Sequence, residues 1–311
     1  MVQSLKFDYE FLFVKFPIIF PIIYGLALFL FPNFETYLIF FTILILAETH
    51  FGATWPFFLS KSNKPYIDNN KIALIAIPVI IILLCILGFF FIKSIFLLIF
   101  FAANMFHVTR QSFGICKLYC KNEYEKKFQE YFIYFFGFLF FFIGFFRFYY
   151  PLISNENLFA LNFLVIILFL LISIYYLYRF KFSENFLTFF AGCILFYPVC
   201  FVSNPVHGII MGVTMHYTQY LYLTYKVYKG RNNESNIEEK KGVFLKYIPA
   251  VLIYSFFMSI LSLTGKSNLE IVSYLIIIPL TGQMLHFYLD SQLWKFSVKH
   301  NRDNILKYLF N

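Results

Sequence analysis

The chain has 311 residues, of which 60% are hydrophobic, 24% aromatic and only 13% charged. A soluble domain carries nearer a quarter charged residues, so that class is excluded. Apolar runs recur from end to end, whereas a membrane β-barrel would show alternating segments of about ten residues.

The formal charge of +9 would fit nucleic acid until the basic residues are placed. They fall in loops on one side of the expected membrane, so no nucleic-acid partner is expected.

Lys6, Asp8 and Glu10 precede the first apolar run, and no small-residue cleavage site follows it. This segment reads as a retained span and not a removed signal peptide. Runs of about twenty apolar residues then predict an all-α transmembrane bundle of ten spans. Their limits are 14–32, 34–51, 71–92, 94–114, 131–150, 158–179, 185–203, 205–228, 245–264 and 268–290. Only Pro32 and Asn33 part the first pair, and Lys93 and Ser94 the second, so each pair reads as a tight helical hairpin. The 48 Phe crowd these runs and read as lipid-facing filler in place of Leu.

The basic residues test the count. With ten spans, all but Lys93, Arg147 and Lys266 of the 25 Lys and Arg lie on the side shared by both termini. By the positive-inside rule that side is cytoplasmic, which places the chain in the inner (cytoplasmic) membrane. Residues 1–290 form one bundle domain. The tail, 291–311, mixes Leu293, Trp294, Ile305, Leu306 and Leu309 with Lys295, Lys299, Arg302 and Lys307. It reads as a basic, interfacial amphipathic segment. Residues 51–70 read as a surface extension of the second span or a short lid, and 231–242 as a solvated linker.

The five cysteines, Cys85, Cys116, Cys120, Cys193 and Cys200, form no CxxC pair. A Lys-rich, cytoplasmic flank disfavours a Cys116–Cys120 disulfide, leaving buried free thiols.

Chemistry concentrates in the histidines. His50 ends the second span, His107 lies about two turns inside the fourth, His216 lies nearer the middle of the eighth, and His286 lies about a turn inside the tenth. All four sit on spans running outward to inward, in or near the cytoplasmic half. His107, Arg110, Gln111 and Gly114 share a stripe at helical spacing. Gln219 follows His216 by three residues, and Gln283 and Asp290 flank His286. An unpaired polar or charged group in hydrocarbon costs about 2–4 kcal/mol, so several in one layer must satisfy one another or a ligand. Four neutral imidazoles suit a metal, which supplies the positive charge they lack.

A wet polar network without metal and independent structural roles are the blander readings. His207, behind Asn204-Pro205, lies at the far membrane face, and His300 falls in the basic tail. Glu48 stands two residues before His50, off its face in a regular helix. Arg110 either pairs with an anionic group or Asp290, or snorkels to lipid headgroups.

The chain carries no HExxH, nucleophile-elbow serine, P-loop or paired-aspartate diphosphate motif, and none of the HxxxH or HxxHH boxes of membrane desaturases. Single histidines on separate spans, in a chain of this length, resemble at the level of architecture the Brp/Blh family of membrane carotenoid dioxygenases. That resemblance implies one non-haem iron held by several histidines and a carotenoid substrate. No stretch matches the family's motifs residue by residue, so no residue role is carried over.

The leading expectation is therefore a membrane-bound, metal-dependent oxidoreductase, with non-haem iron as the metal, acting on a membrane lipid or isoprenoid and supplied by an electron donor. His107, His216 and His286 are the expected ligands, with His50 a fourth. Asp290 is a ligand or an acceptor behind one, Gln111, Gln219 and Gln283 orient imidazoles, and Arg110 serves an anionic substrate group. Two alternatives stand beside it: haem b held by pairs of histidines for electron transfer, and a transporter or assembly subunit with a polar intramembrane path.

Overall fold

A computed structural model describes residues 8–233, 246–265 and 269–310, apart from the side chains of 155–156, 232–233 and 270–271. Lys6, Lys240, Lys241, Lys266 and most of the linker 231–242 lie outside the described residues. Every regular element among the described residues is helical. Four helices are long and apolar enough to cross a membrane: Pro32–Phe58, Ile72–Phe91, Glu123–Tyr149 and Asn157–Phe180. Ile19–Leu30 and Ile248–Leu263 are apolar but shorter.

The other expected spans are helical but differ in length or polarity. Lys93–Tyr119 and Pro205–Asn233 have 27 and 29 residues, ample to cross, but the polar residues that single them out lower their hydropathy. The expected span 185–203 shrinks to Glu184–Ile194, whereas 268–290 runs as Glu270–Ser273, a 3-10 turn Tyr274–Ile276 and Ile277–Leu293 in unbroken succession. Prolines explain several breaks. Phe16 and Phe31 (φ −141° and −129°) each directly precede a proline, which drives the preceding residue out of the helical region. Pro198 opens a 3-10 turn where the seventh span was expected to run on. The expected break before Lys93 is present, with Ile92 leaving helical geometry at φ −140°.

Several helices contain a single π turn, among them Phe11–Lys15, Ile43–Ala47 and Ile72–Ala76. A π turn disturbs the regular ladder and leaves a carbonyl in need of a donor. Side chains from other helices provide one. Gln219 Nε2 donates to Val14 O at 2.8 Å, Tyr288 Oη to Ala73 O at 2.7 Å, and Ser255 Oγ to Leu44 O.

Two compact units emerge, Met1–Ile39 with Met105–Gln219, and Phe40–Asn104 with Tyr220–Asn311. In the first, Asn122 caps Glu123–Gly144 by accepting from the Tyr124 and Glu125 amides, as an N-cap should. Farther along that helix Gln129 Nε2 donates to Tyr176 Oη at 3.1 Å, and Tyr176 donates to buried Glu125. Lys15 pairs with Glu184 at 2.6 Å. Pro205–Asn233 presses against the chain at Leu195 so closely that a Cβ on Gly212 would sit 1.6 Å from Leu195 O.

In the second unit Ile248–Thr264 packs on Glu48–Phe58 over Gly52, where a Cβ would meet Val251 O at 3.2 Å and Tyr254 at 2.8 Å. Cys85, Phe89 and Phe96 form a buried cluster under Leu280 and Met284. The last residues are tied down: Arg231 Nε donates to Asn304 O at 2.9 Å, Asn301 is fully buried, and His300 stacks on Tyr66 at 4.7 Å. Burial pushes the Arg231 guanidinium down to about 10, with Tyr308 acting in the opposite direction.

Candidate metal centre

In the second unit, Glu48–Phe58 follows directly on the π turn Ile43–Ala47 and carries His50; Ile277–Leu293 carries His286. Neither imidazole is exposed to solvent. Their ring centroids are 4.4 Å apart, with the planes at 69°. Tyr220 lies edge-on to both, 4.6 Å from His50 and 5.2 Å from His286. Thr54, one turn beyond His50 and therefore on the same helix face, places its hydroxyl 2.6 Å from His286 Nδ1 and 2.9 Å from Tyr220 Oη.

In the first unit, His107 on Lys93–Tyr119 and His216 on Pro205–Asn233 are also buried. Their rings meet edge to face at 5.5 Å and 87°. Thr109, two residues past His107, lies where a Cβ on Gly137 would come 2.5 Å from its Oγ1. That close approach sets the helix carrying His107 tightly against Glu123–Gly144.

One ring nitrogen from each of His50, His107, His216 and His286 falls within 4.8 Å of every other. No other group of three or more His, Cys, Asp or Glu among the described residues converges in this way. Metal–imidazole bonds of about 2.0–2.1 Å put ligand nitrogens roughly 3–4 Å apart, a spacing within the 4.8 Å limit that this group meets. An all-imidazole set is neutral and of borderline softness, suited to iron, copper, zinc or nickel. Such a buried group can hold a transition metal.

The companions expected around these histidines are distributed differently. Asp290 is buried but is not part of the converging group; its carboxylate neighbours the Tyr220 hydroxyl. Gln219 is engaged with Val14 O. Gln283 Nε2 reaches Glu48 Oε1 at 3.3 Å, where Ser262 Oγ also lies at 3.4 Å. Glu48 is helical and buried, and remains outside the histidine group. Gln111 is half-buried. Arg110 is exposed and shares its face with exposed Phe106 and Lys117, so it lies away from the buried side of that helix. His207 is buried elsewhere, with Tyr24 Oη 2.7 Å from Nδ1 and Glu35 Oε2 3.5 Å from Nε2.

All five cysteines are buried and free. Burial, then the nearby Glu125 carboxylate, push the Cys120 thiol up to about 12, which keeps it protonated and inert.

Sequence reasoning missed Thr54 and Tyr220. A signal was present: each stands four residues beyond a histidine, Thr54 after His50 and Tyr220 after His216, the spacing that puts two side chains on one face. No family model, curated protein or solved structure matches this chain.

Proposed function

We propose that the chain is an integral membrane oxidoreductase whose centre is one non-haem transition-metal ion held by His50, His107, His216 and His286. The observation that carries this reading is the convergence of four buried imidazole nitrogens within 4.8 Å. Buried polar groups are retained where they are satisfied by one another or by a ligand, and neutral imidazoles, with nothing anionic among them, suit a cation. The same spacing favours a lone ion over haem. A porphyrin occupies the four equatorial positions of its iron and leaves at most two for histidine, so four mutually close imidazoles leave it no room.

The rest of the reading follows from placement. Ten spans with both termini cytoplasmic in the inner membrane fit the separation of Lys and Arg along the chain. A centre among apolar helices suits a substrate that arrives through the bilayer, so the substrate class is a membrane lipid or isoprenoid, with iron as the metal and a separate electron donor. Carotenoids enter that class through the architectural resemblance to the Brp/Blh enzymes. When bound, the ion would supply redox chemistry, and this chain's residues hold it and exclude water.

The test is metal analysis of the detergent-purified chain after iron loading in cells. Close to one equivalent is expected in the wild type, with loss in His107→Ala and in His216→Ala. Less than about a tenth of an equivalent in the wild type, or unchanged metal in both variants, overturns the reading. A Soret band in the purified protein would turn it toward haem instead.

A further inference from the structure

Behind His286 runs a chain of side chains whose hydrogen-bond polarity can be deduced. Its far end is Asp290, buried beside the Tyr220 hydroxyl. Thr54 takes the Nδ1 side of His286, its hydroxyl oxygen 2.6 Å away, so an ion held by this ring sits at Nε2 and the ring proton at Nδ1. The Thr54 oxygen then accepts from Nδ1, and its own proton is directed to the Tyr220 oxygen, 2.9 Å away. The Tyr220 proton is in turn directed toward Asp290.

We infer that Asp290, Tyr220 and Thr54 form a relay that fixes His286 as the Nδ1–H tautomer and so commits Nε2 to the metal. This rests on the metal reading above. It reassigns Asp290 from ligand to remote acceptor and gives Thr54 and Tyr220 positioning roles. The physical gain is the usual one for a ligating imidazole: a fixed ring, a fixed tautomer and a more basic ligand nitrogen. Tyr220 has a second means of positioning, since its ring also lies edge-on to His50.

Two measurements on the full chain in detergent test the relay, one with metal and one without. Co(II) is the probe for the first. Thr54→Val and Tyr220→Phe keep the shape and remove a hydroxyl; each is expected to weaken Co(II) binding about 10- to 100-fold, and Thr54→Ser to restore it. The second is 15N NMR of histidine-labelled apoprotein, with the His286 signal assigned by its loss in His286→Gln. The wild type is expected to show His286 protonated at Nδ1, and Thr54→Val to shift it toward the Nε2–H form. Wild-type Co(II) affinity and an unchanged tautomer in Thr54→Val overturn the relay. A wild type that binds no Co(II) but shows the Nδ1–H tautomer overturns the metal reading and leaves the relay in place.

Discussion

Tyr24 and His207 share a hydrogen bond of 2.7 Å between the phenol oxygen and Nδ1. With Glu35 3.5 Å from the other ring nitrogen, the imidazole is held on both sides by the first apolar helix and the segment after it. This histidine is thereby engaged apart from the converging four. His207→Gln should leave metal content unchanged. Tyr24→Phe, which removes one buried hydrogen bond, should cost about 1 kcal/mol of stability. Thermal unfolding and metal analysis on the same samples check both; loss of metal in His207→Gln would place it in the centre.

A second prediction concerns Gln219. Its amide donates to Val14 O within a π turn, so its first role is to satisfy a carbonyl that the helix ladder cannot. Gln219→Leu leaves that carbonyl without its side-chain donor, at a cost of about 1–3 kcal/mol. Hydrogen exchange should quicken at residues 11–15, and metal content should hold. A wild-type exchange pattern combined with lost metal would show that Gln219 orients His216 instead.

These two residues show what the sequence can and cannot reveal. Helical class and membrane character follow from composition and long apolar runs, because the bilayer leaves few other ways to satisfy a backbone. The expectation that His50, His107, His216 and His286 share a depth follows from counting residues along helices of fixed rise, and one ring nitrogen of each does lie near the others. Partner choice does not. Gln219 lies one turn from His216, but its amide turns to a carbonyl exposed by a π turn that no residue pattern announces. Arg110 lies three residues from His107, which is 60° around the helix, enough to put it on the exposed face with Phe106 and Lys117. Thr54 and Tyr220 pass for ordinary membrane-helix residues until Asp290 and His286, on a third helix, give them a direction.

Acid should loosen the C-terminal segment through His300. The ring stacks on Tyr66, planes 8° apart, and its Nε2 lies 3.1 Å from Asn63 Oδ1. Burial and then the nearby Arg231 charge hold its pKa below the usual 6.5, against a smaller opposing pull from Asp303. A base with a depressed folded-state pKa binds its proton more readily when unfolded. Its contribution is therefore present above pH 6.5 and lost as pH falls through that value toward the folded-state pKa. On lowering pH from about 7.5 to about 5.5, the wild type should lose more thermal stability than His300→Gln. Equal losses in the two proteins would remove His300 as the cause.

Two glycines should respond oppositely to the same substitution. A Cβ at Gly212 would lie 1.6 Å from Leu195 O and 2.8 Å from Leu195 C, both backbone atoms. No side-chain rotation relieves such a contact, so the helix carrying His216 must move away from Leu195. Overpacking of this kind costs about 3 kcal/mol or more, and Gly212→Ala should express poorly or unfold at markedly lower temperature. Gly114 lies on the His107 helix with nothing within 4 Å of a built Cβ. Gly114→Ala should be tolerated there and gain up to about 1 kcal/mol from helix propensity. The pair is measured by detergent thermal unfolding with metal content as a second readout. Gly212→Ala, by displacing His216, should lower bound metal even in the fraction that folds, while Gly114→Ala should retain it in full. Equal tolerance at the two positions would mean that the tight approach at Leu195 does not set the position of the His216 helix.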